Sequence, residues 1–309
     1  MARSARKKSD FSIFHIIVKS ISDVLLFKSN DDKNFYLSLI KHYQYIYKFK
    51  VYSYCLMSNH AHFIIDVNGA DISKIMHCIN FRYALYFNKK YKRKGPLFLD
   101  RFKSKIVHNE QYLINLSAYI HKNPLSISKY RNCIEKYTYS SLCVFLGFKK
   151  DKFEILDEDF IMQLFSSDVK KARKQYLKLV FIIDENTLNN QNIENEKASY
   201  NSNRNIISRS FDPEHILEFI SDVVKKKENL FKNNCKNKND IALTILLMRC
   251  LCDFTYAKIC KVINISEYKA CKLCDNAVNL LKLNPNFKNI IEDFISIYTP
   301  LAQDRKSVV

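Results

Sequence analysis

Acidic residues are in short supply in this 309-residue chain: 31 Asp and Glu stand against 50 Lys and Arg, a formal charge of +19. That imbalance favours a polyanionic partner, nucleic acid first and an anionic membrane surface second. Glycine occurs only three times, and Lys, Asn and Ile are abundant throughout, so part of the charge reflects Lys-rich codon usage. No window has the unbroken apolar length of a membrane span, which argues against membrane insertion. The basic start, MARSARKKSD, is followed by no apolar core with a small-residue cleavage site. Ten cysteines are scattered without a secretory framework. The expectation is a cytoplasmic protein with reduced thiols. Its hydrophobic share, 47%, suffices for a packed core, and its length allows two domains.

The pattern along the chain predicts an α+β fold. "FSIFHIIVKS" (11–20) is dense in β-branched and aromatic residues and reads as a strand holding His15. Residues 31–48 carry helical spacing behind an Asp pair able to cap it. "KVYSYCLM" (50–57) and "AHFIIDV" (61–67) read as strands. Residues 71–91 form an amphipathic helix with Asp71 as N-cap. Residues 95–108 read as extended structure, 109–124 as a helix ended by Pro124, and 158–183 as a further helical run. This order is that of an antiparallel sheet with helices packed on it. The stretch 184–210 is polar, Asn-rich and linker-like; beyond it, 211–300 reads as helices only.

Three features carry chemistry. In a strand, residues i and i+2 share a face, so His60 and His62 of "MSNHAHFIIDV" converge. Two imidazoles on one face can hold a divalent ion with positions left for oxygen ligands and substrate; with eight histidines, the pair can equally arise by chance. On the helix before Pro124, Tyr112, Leu116, Tyr119 and Asn123 share a face. A phenol there can attack phosphorus beside a metal, although in a chain with 19 tyrosines such a face is commonly core. The third feature is "FNKKYKRKGPLFLDRFKSK" (87–105). It interleaves Lys89, Lys90, Lys92, Arg93, Lys94, Arg101, Lys103 and Lys105 with Phe87, Tyr91, Phe98 and Phe102. Cations for phosphates and rings for unpaired bases point to nucleic acid; a solvated charge run is the plain alternative.

"YCLMSNHAHFIIDV", "GPLFLDRFKSKIV", "YLINLSAYIHKNPL" and "YTYSSLCVFLG", in this order, resemble the single-tyrosine HUH transposases, and most of all their REP-associated tyrosine transposase branch. The likeness begins in the basic N-terminus, where Arg3, Arg6 and Lys7 would touch DNA, and covers about the first 180 residues. It implies a ferredoxin-like HUH catalytic domain over 1–150, extended by helices to 183. It further implies cutting and rejoining of single-stranded DNA beside hairpins. His60 and His62 match the pair that binds Mg²⁺ or Mn²⁺, and Asn123 matches the position of the third ligand. Tyr119 falls where the family places its nucleophile, leaving a 5′-phosphotyrosine link; Tyr112 is the rival on the same face. Two departures are visible: Ala61 is a small version of the usual bulky middle residue, and Ser58 stands where proline is common. Neither removes a ligand. Relatives include dimers and monomers, so a homodimer is one expectation and a monomer the other.

The family's core does not need residues 211–300. There, 253–281 looks like a helix-turn-helix, with a first helix at Tyr256–Ile263, a turn at Asn264–Ser266 and a second helix from Glu267. Such a second helix would present Tyr268, Lys269 and Lys272 to DNA; a bundle that only packs is the alternative. The cysteines at 250, 252, 260, 271 and 274 lack the turn glycines of a zinc knuckle and read as small core residues. The functional expectation is a metal-dependent DNA strand transferase; the rival is a DNA-binding regulator that kept the fold without the chemistry.

Overall fold

The computed structural model describes Ser9, residues 12–184, Leu188, and residues 204–228 and 238–304. It divides into two compact units with the boundary at Ile206/Ile207, Tyr45–Lys48 grouping with the second.

The first unit is built on a four-stranded antiparallel sheet in the order β2-β3-β1-β4. Its strands are β1 (Ile13–Lys19), β2 (Lys50–Leu56), β3 (His60–Asp66) and β4 (Lys103–Val107). The two central strands are buried along almost their whole length, as strands must be when helices cover both faces. Helices α1 (Asn30–Tyr47) and α2 (Ile72–Lys90) cover one face. There Tyr36 of α1 meets Phe63 of β3 and packs edge-on against Tyr83 of α2, ring centroids 5.0 Å apart. Helix α3 (Glu110–Lys122) lies against β2 and β3 on the other side.

Local sequence explains the helix starts. Helix α1 opens with a reciprocal cap rather than the simple Asp cap expected. The Ser29 hydroxyl accepts from the Asp32 N–H at 3.4 Å, while the Asp32 carboxylate accepts from the N–H groups of Lys28 and Ser29 at 2.8 and 2.9 Å. Asp71 caps α2 as its sequence predicts, accepting from Ser73 N–H at 2.7 Å. Asn109 caps α3, accepting from Tyr112 N–H at 2.8 Å. At its other end α3 passes into a 3₁₀ turn, Asn123–Ser126. Pro124 sits in the first turn of that element, where its missing N–H costs nothing.

Helix α3 is fixed to the sheet by a buried polar chain. Tyr176 OH lies 3.0 Å from Ser117 Oγ and 2.6 Å from His121 Nδ1; His121 Nε2 lies 2.6 Å from Ser141 Oγ. That serine accepts from the backbone N–H of Tyr54 on β2 at 2.9 Å. Burial pushes His121 down to about 3. The short α4 (Leu142–Phe145) follows Ser141.

Two expectations need correcting. Of 95–108 only Lys103–Val107 is a strand; before it, Leu97 and Leu99 hydrogen-bond to Ile21 and Lys19 as an irregular edge. The run 158–183 is two helices, α5 (Asp159–Gln163) and α6 (Val169–Ile182). The Asp168 carboxylate accepts from Lys170 and Lys171 N–H at 2.8 and 3.2 Å, starting a new helix where the periodicity alone reads through.

The second unit is helical: α7 (Pro213–Glu228), α8 (Lys238–Leu251), α9 (Tyr256–Ile263), α10 (Glu267–Leu283) and α11 (Ile290–Asp304). Asn264 closes α9 in the left-handed region, φ 51°, and Ser266 caps α10. Within it Cys250, Cys252 and Cys274 are buried and Cys271 is exposed. Among the described residues, no helix is long and apolar enough to cross a membrane.

Candidate functional site

The turn Met57–Asn59 joins β2 to β3, closed by Met57 N–H donating to His60 O at 2.8 Å. Strand alternation then puts His60 and His62 on the α3 face of the sheet, their rings 5.0 Å apart and perpendicular. Register supplies their neighbours: Lys19 lies opposite His60, and Ile17 and Cys55 flank His62. One nitrogen of each ring is engaged. His60 Nδ1 lies 2.6 Å from Asn59 Oδ1, and His62 Nδ1 lies 3.0 Å from His15 Nε2.

Asn123, at the end of α3, comes within hydrogen-bonding reach of His60. Its Nδ2 donates to the carbonyls of Tyr119 and Ile120 at 3.1 and 3.2 Å, so Oδ1 is the atom offered to the imidazole. Burial lowers the pKa of His60; the Asn123 contact opposes this and Lys19 adds to it. Burial, then the adjacent His15 and His60, hold His62 well below its ordinary value. Both rings are therefore neutral at pH 7. A neutral His60 has one N–H, and Asn59 takes it. Its Nε2 is then left as an acceptor, as is the Asn123 Oδ1.

Such a pair suits a cation. Two neutral imidazoles and one amide oxygen fit a divalent ion of the Mn²⁺ or Mg²⁺ kind and leave its full charge uncompensated. Among the described residues no three His, Cys, Asp or Glu side chains gather as metal ligands.

Tyr119 is half-buried on α3, one turn before Asn123. Tyr112, seven residues earlier, is 3% exposed and burial pushes its phenol up.

The basic stretch separates into two groups. Lys89, Lys92, Lys94, Arg101, Lys103 and Lys105 are exposed. Lys103 and Lys105 stand opposite Ile17 and His15 on β1, hence on the histidine face. Lys90, by contrast, is bonded to the buried Asp32 at 2.7 Å and to Tyr86 OH at 3.0 Å. Arg93 donates to Asn88 Oδ1 at 3.2 Å. The expected stacking rings are mostly turned inward: Phe87 and Phe102 are core residues, and Tyr91 OH donates to Asp32 at 2.8 Å. This packing corrects the expectation of base stacking for Phe87 and Phe102; Tyr91 and Phe98 stay half-exposed. Arg3, Arg6 and Lys7 lie outside the described residues.

Residues 10–123 match the family model described as IS200-like transposase. Over that stretch, a little more than a third of the chain, the sequence is similar to the IS200-like transposases. The transposase match takes in all four strands, α1 to α3, both histidines, Tyr119 and Asn123, and stops short of the second unit. The solved structure of a REP-associated tyrosine transposase bound to a REP hairpin is similar over 48% of this chain and 86% of that chain. Identity there is 15% and the TM-score 0.41. No curated protein matches the chain.

In the second unit, Tyr268 is exposed and Lys272 lies over its ring, 4.4 Å from the centroid; Lys269 is exposed. The sequence reading gave His15 no role, although it is buried against His62. Only the pairing register of β1 with β3 discloses that contact, and the residue string does not contain it.

Proposed function

We propose that this chain is a metal-dependent DNA transposase of the single-tyrosine HUH type, of the REP-associated branch, cutting single-stranded DNA beside hairpins. The observation that carries this reading is the meeting of His60 and Asn123, which joins the head of β3 to the end of α3 one turn beyond Tyr119. The transposase match over 10–123 supports it independently.

His60, His62 and Asn123 would hold Mg²⁺ or Mn²⁺, which when bound supplies positive charge to a phosphate under attack. Tyr119 Oη forms a bond to phosphorus as the bond to the 3′-oxygen breaks. The phenolic proton passes to solvent, and the departing oxygen takes up a proton to become a 3′-OH. One phosphodiester replaces another, so rejoining needs no ATP. Exposed Lys103 and Lys105 on the same face suit a DNA backbone. The helix-turn-helix-like pair α9–α10 would add duplex or hairpin contact through Tyr268, Lys269 and Lys272.

The test is covalent capture: labelled hairpin DNA with a single-stranded flank, Mn²⁺, and a denaturing gel. A protein–DNA adduct is expected with the native chain and lost with Tyr119→Phe. An adduct undiminished in Tyr119→Phe overturns the assignment. The rival, a non-catalytic regulator, predicts binding without any adduct.

A further inference from the structure

The metal reading leaves one contact unused. His15, in the middle of β1, is 7% exposed, and its Nε2 stands 3.0 Å from Nδ1 of His62. The rings are nearly parallel, at 21°, with centroids 5.3 Å apart. A buried imidazole held this closely against a candidate ligand can do one of two things. If His15 Nε2 carries the proton, it donates to His62 Nδ1; the His62 proton then sits on Nε2, which cannot bind a metal. If the proton sits on His62 Nδ1, His15 accepts it, and the His62 Nε2 lone pair is free.

We propose that His15 is a positioning residue that accepts the Nδ1 proton of His62 and so fixes the tautomer and ring orientation in which His62 Nε2 can bind a divalent ion. This rests on the metal site proposed above. Ligating histidines almost always give their other N–H to a fixed acceptor, and loss of that acceptor typically weakens the metal by about 10–100-fold. A histidine in the acceptor role is possible here because a strand-to-strand diagonal, His15 beside Ile64 and His62 beside Ile17, brings the two rings together with no carboxylate in between.

Two measurements test it. The first needs neither variant nor metal: long-range ¹H–¹⁵N spectra of the metal-free full chain report which nitrogen of His62 is protonated. Nδ1–H is expected, and a predominantly Nε2–H tautomer overturns the proposal. The second is Mn²⁺ titration followed by electron paramagnetic resonance. His15→Phe keeps a ring but no acceptor and is expected to weaken Mn²⁺ about 10–100-fold, with metal-free DNA binding unchanged. His15→Gln, whose amide oxygen can reach the same place, is expected to stay within a few-fold of the native chain. Native affinity in His15→Phe, or equal loss in both variants, overturns the positioning role alone. A native chain whose Mn²⁺ binding ignores His60→Ala and His62→Ala overturns the metal site, and the role of His15 with it.

Discussion

Asn123 stands within hydrogen-bonding reach of His60; the imidazole Nδ1 lies 2.6 Å from Asn59 Oδ1, and the amide gives its own N–H groups to the carbonyls of Tyr119 and Ile120. A site with that polarity binds a cation better than a proton donor. Asn123→Leu should therefore weaken Mn²⁺ by at least about tenfold, whereas Asn123→Asp, which keeps an oxygen, should retain binding. Titration calorimetry without DNA decides: Mn²⁺ bound by Asn123→Leu as tightly as by the native chain would remove Asn123 from the site.

Tyr112 and Tyr119 share a helix face but differ in burial: Tyr112 is 3% exposed and Tyr119 is half-buried. Tyr112 is in the core and its phenol is pushed up by burial, disfavouring the phenolate. Tyr112→Phe should leave covalent capture of DNA within a few-fold of native, while Tyr119→Phe abolishes it. Loss of the adduct in both, with both folded by circular dichroism, would reopen the choice.

The fold and the candidate site differed in legibility. Strand and helix order up to Lys122 was readable because period 2 and period 3.6 follow from one-sided burial, and Asp71 announced α2. What local pattern could not supply was register. His15 sits 47 residues from His62, and nothing in "FSIFHIIVKS" says that its third-strand neighbour is a histidine. The break at Asp168 was missed because apolar spacing continues across it; a cap outweighs periodicity there. The interleaved rings of the basic stretch suggest a stacking platform, but Phe87 and Phe102 belong to the core.

Asp32 ties the start of α1 to the end of α2. Burial alone would raise its pKa, but hydrogen bonds from Lys90, Tyr91 and the N–H groups of Ser29 and Lys28 outweigh this and lower it. A carboxylate with a depressed folded pKa stabilises the fold above its unfolded value, near 3.8, and that contribution is lost as pH falls through the folded value. Asp32→Asn should cost about 1–3 kcal/mol at pH 7, discounted because Lys90 is partly exposed. Urea denaturation should show the gap between native and variant closing below about pH 4. A gap that stays constant with pH means that the charge is not what matters.

Gly147 ends the motif "YTYSSLCVFLG" with φ +72°, and a Cβ placed on it would overlap the guanidinium of Arg173. Gly147→Ala meets both problems at once: left-handed backbone costs about 1–2 kcal/mol for a non-glycine residue, and Arg173 must move. If the overlap matters, Gly147→Ala combined with Arg173→Ala should recover part of the loss in melting temperature. No recovery would assign the whole effect to the backbone.

Lys90 and Lys92 are two residues apart but do different things. Lys90 is spent on Asp32, Ser29 and Tyr86, while Lys92 is exposed with positive φ, 51°, at the turn after α2. A cation that meets phosphate releases counterions, so removing it weakens binding and flattens the salt dependence by about one unit of slope. Lys92→Ala, Lys103→Ala and Lys105→Ala should each do so without changing stability, as read by hairpin binding from low to high salt. Lys90→Ala should do the reverse, lowering the unfolding midpoint while leaving the salt slope of the folded protein nearly unchanged. An unaltered slope in all three exposed variants would place the DNA path away from β4 and the end of α2.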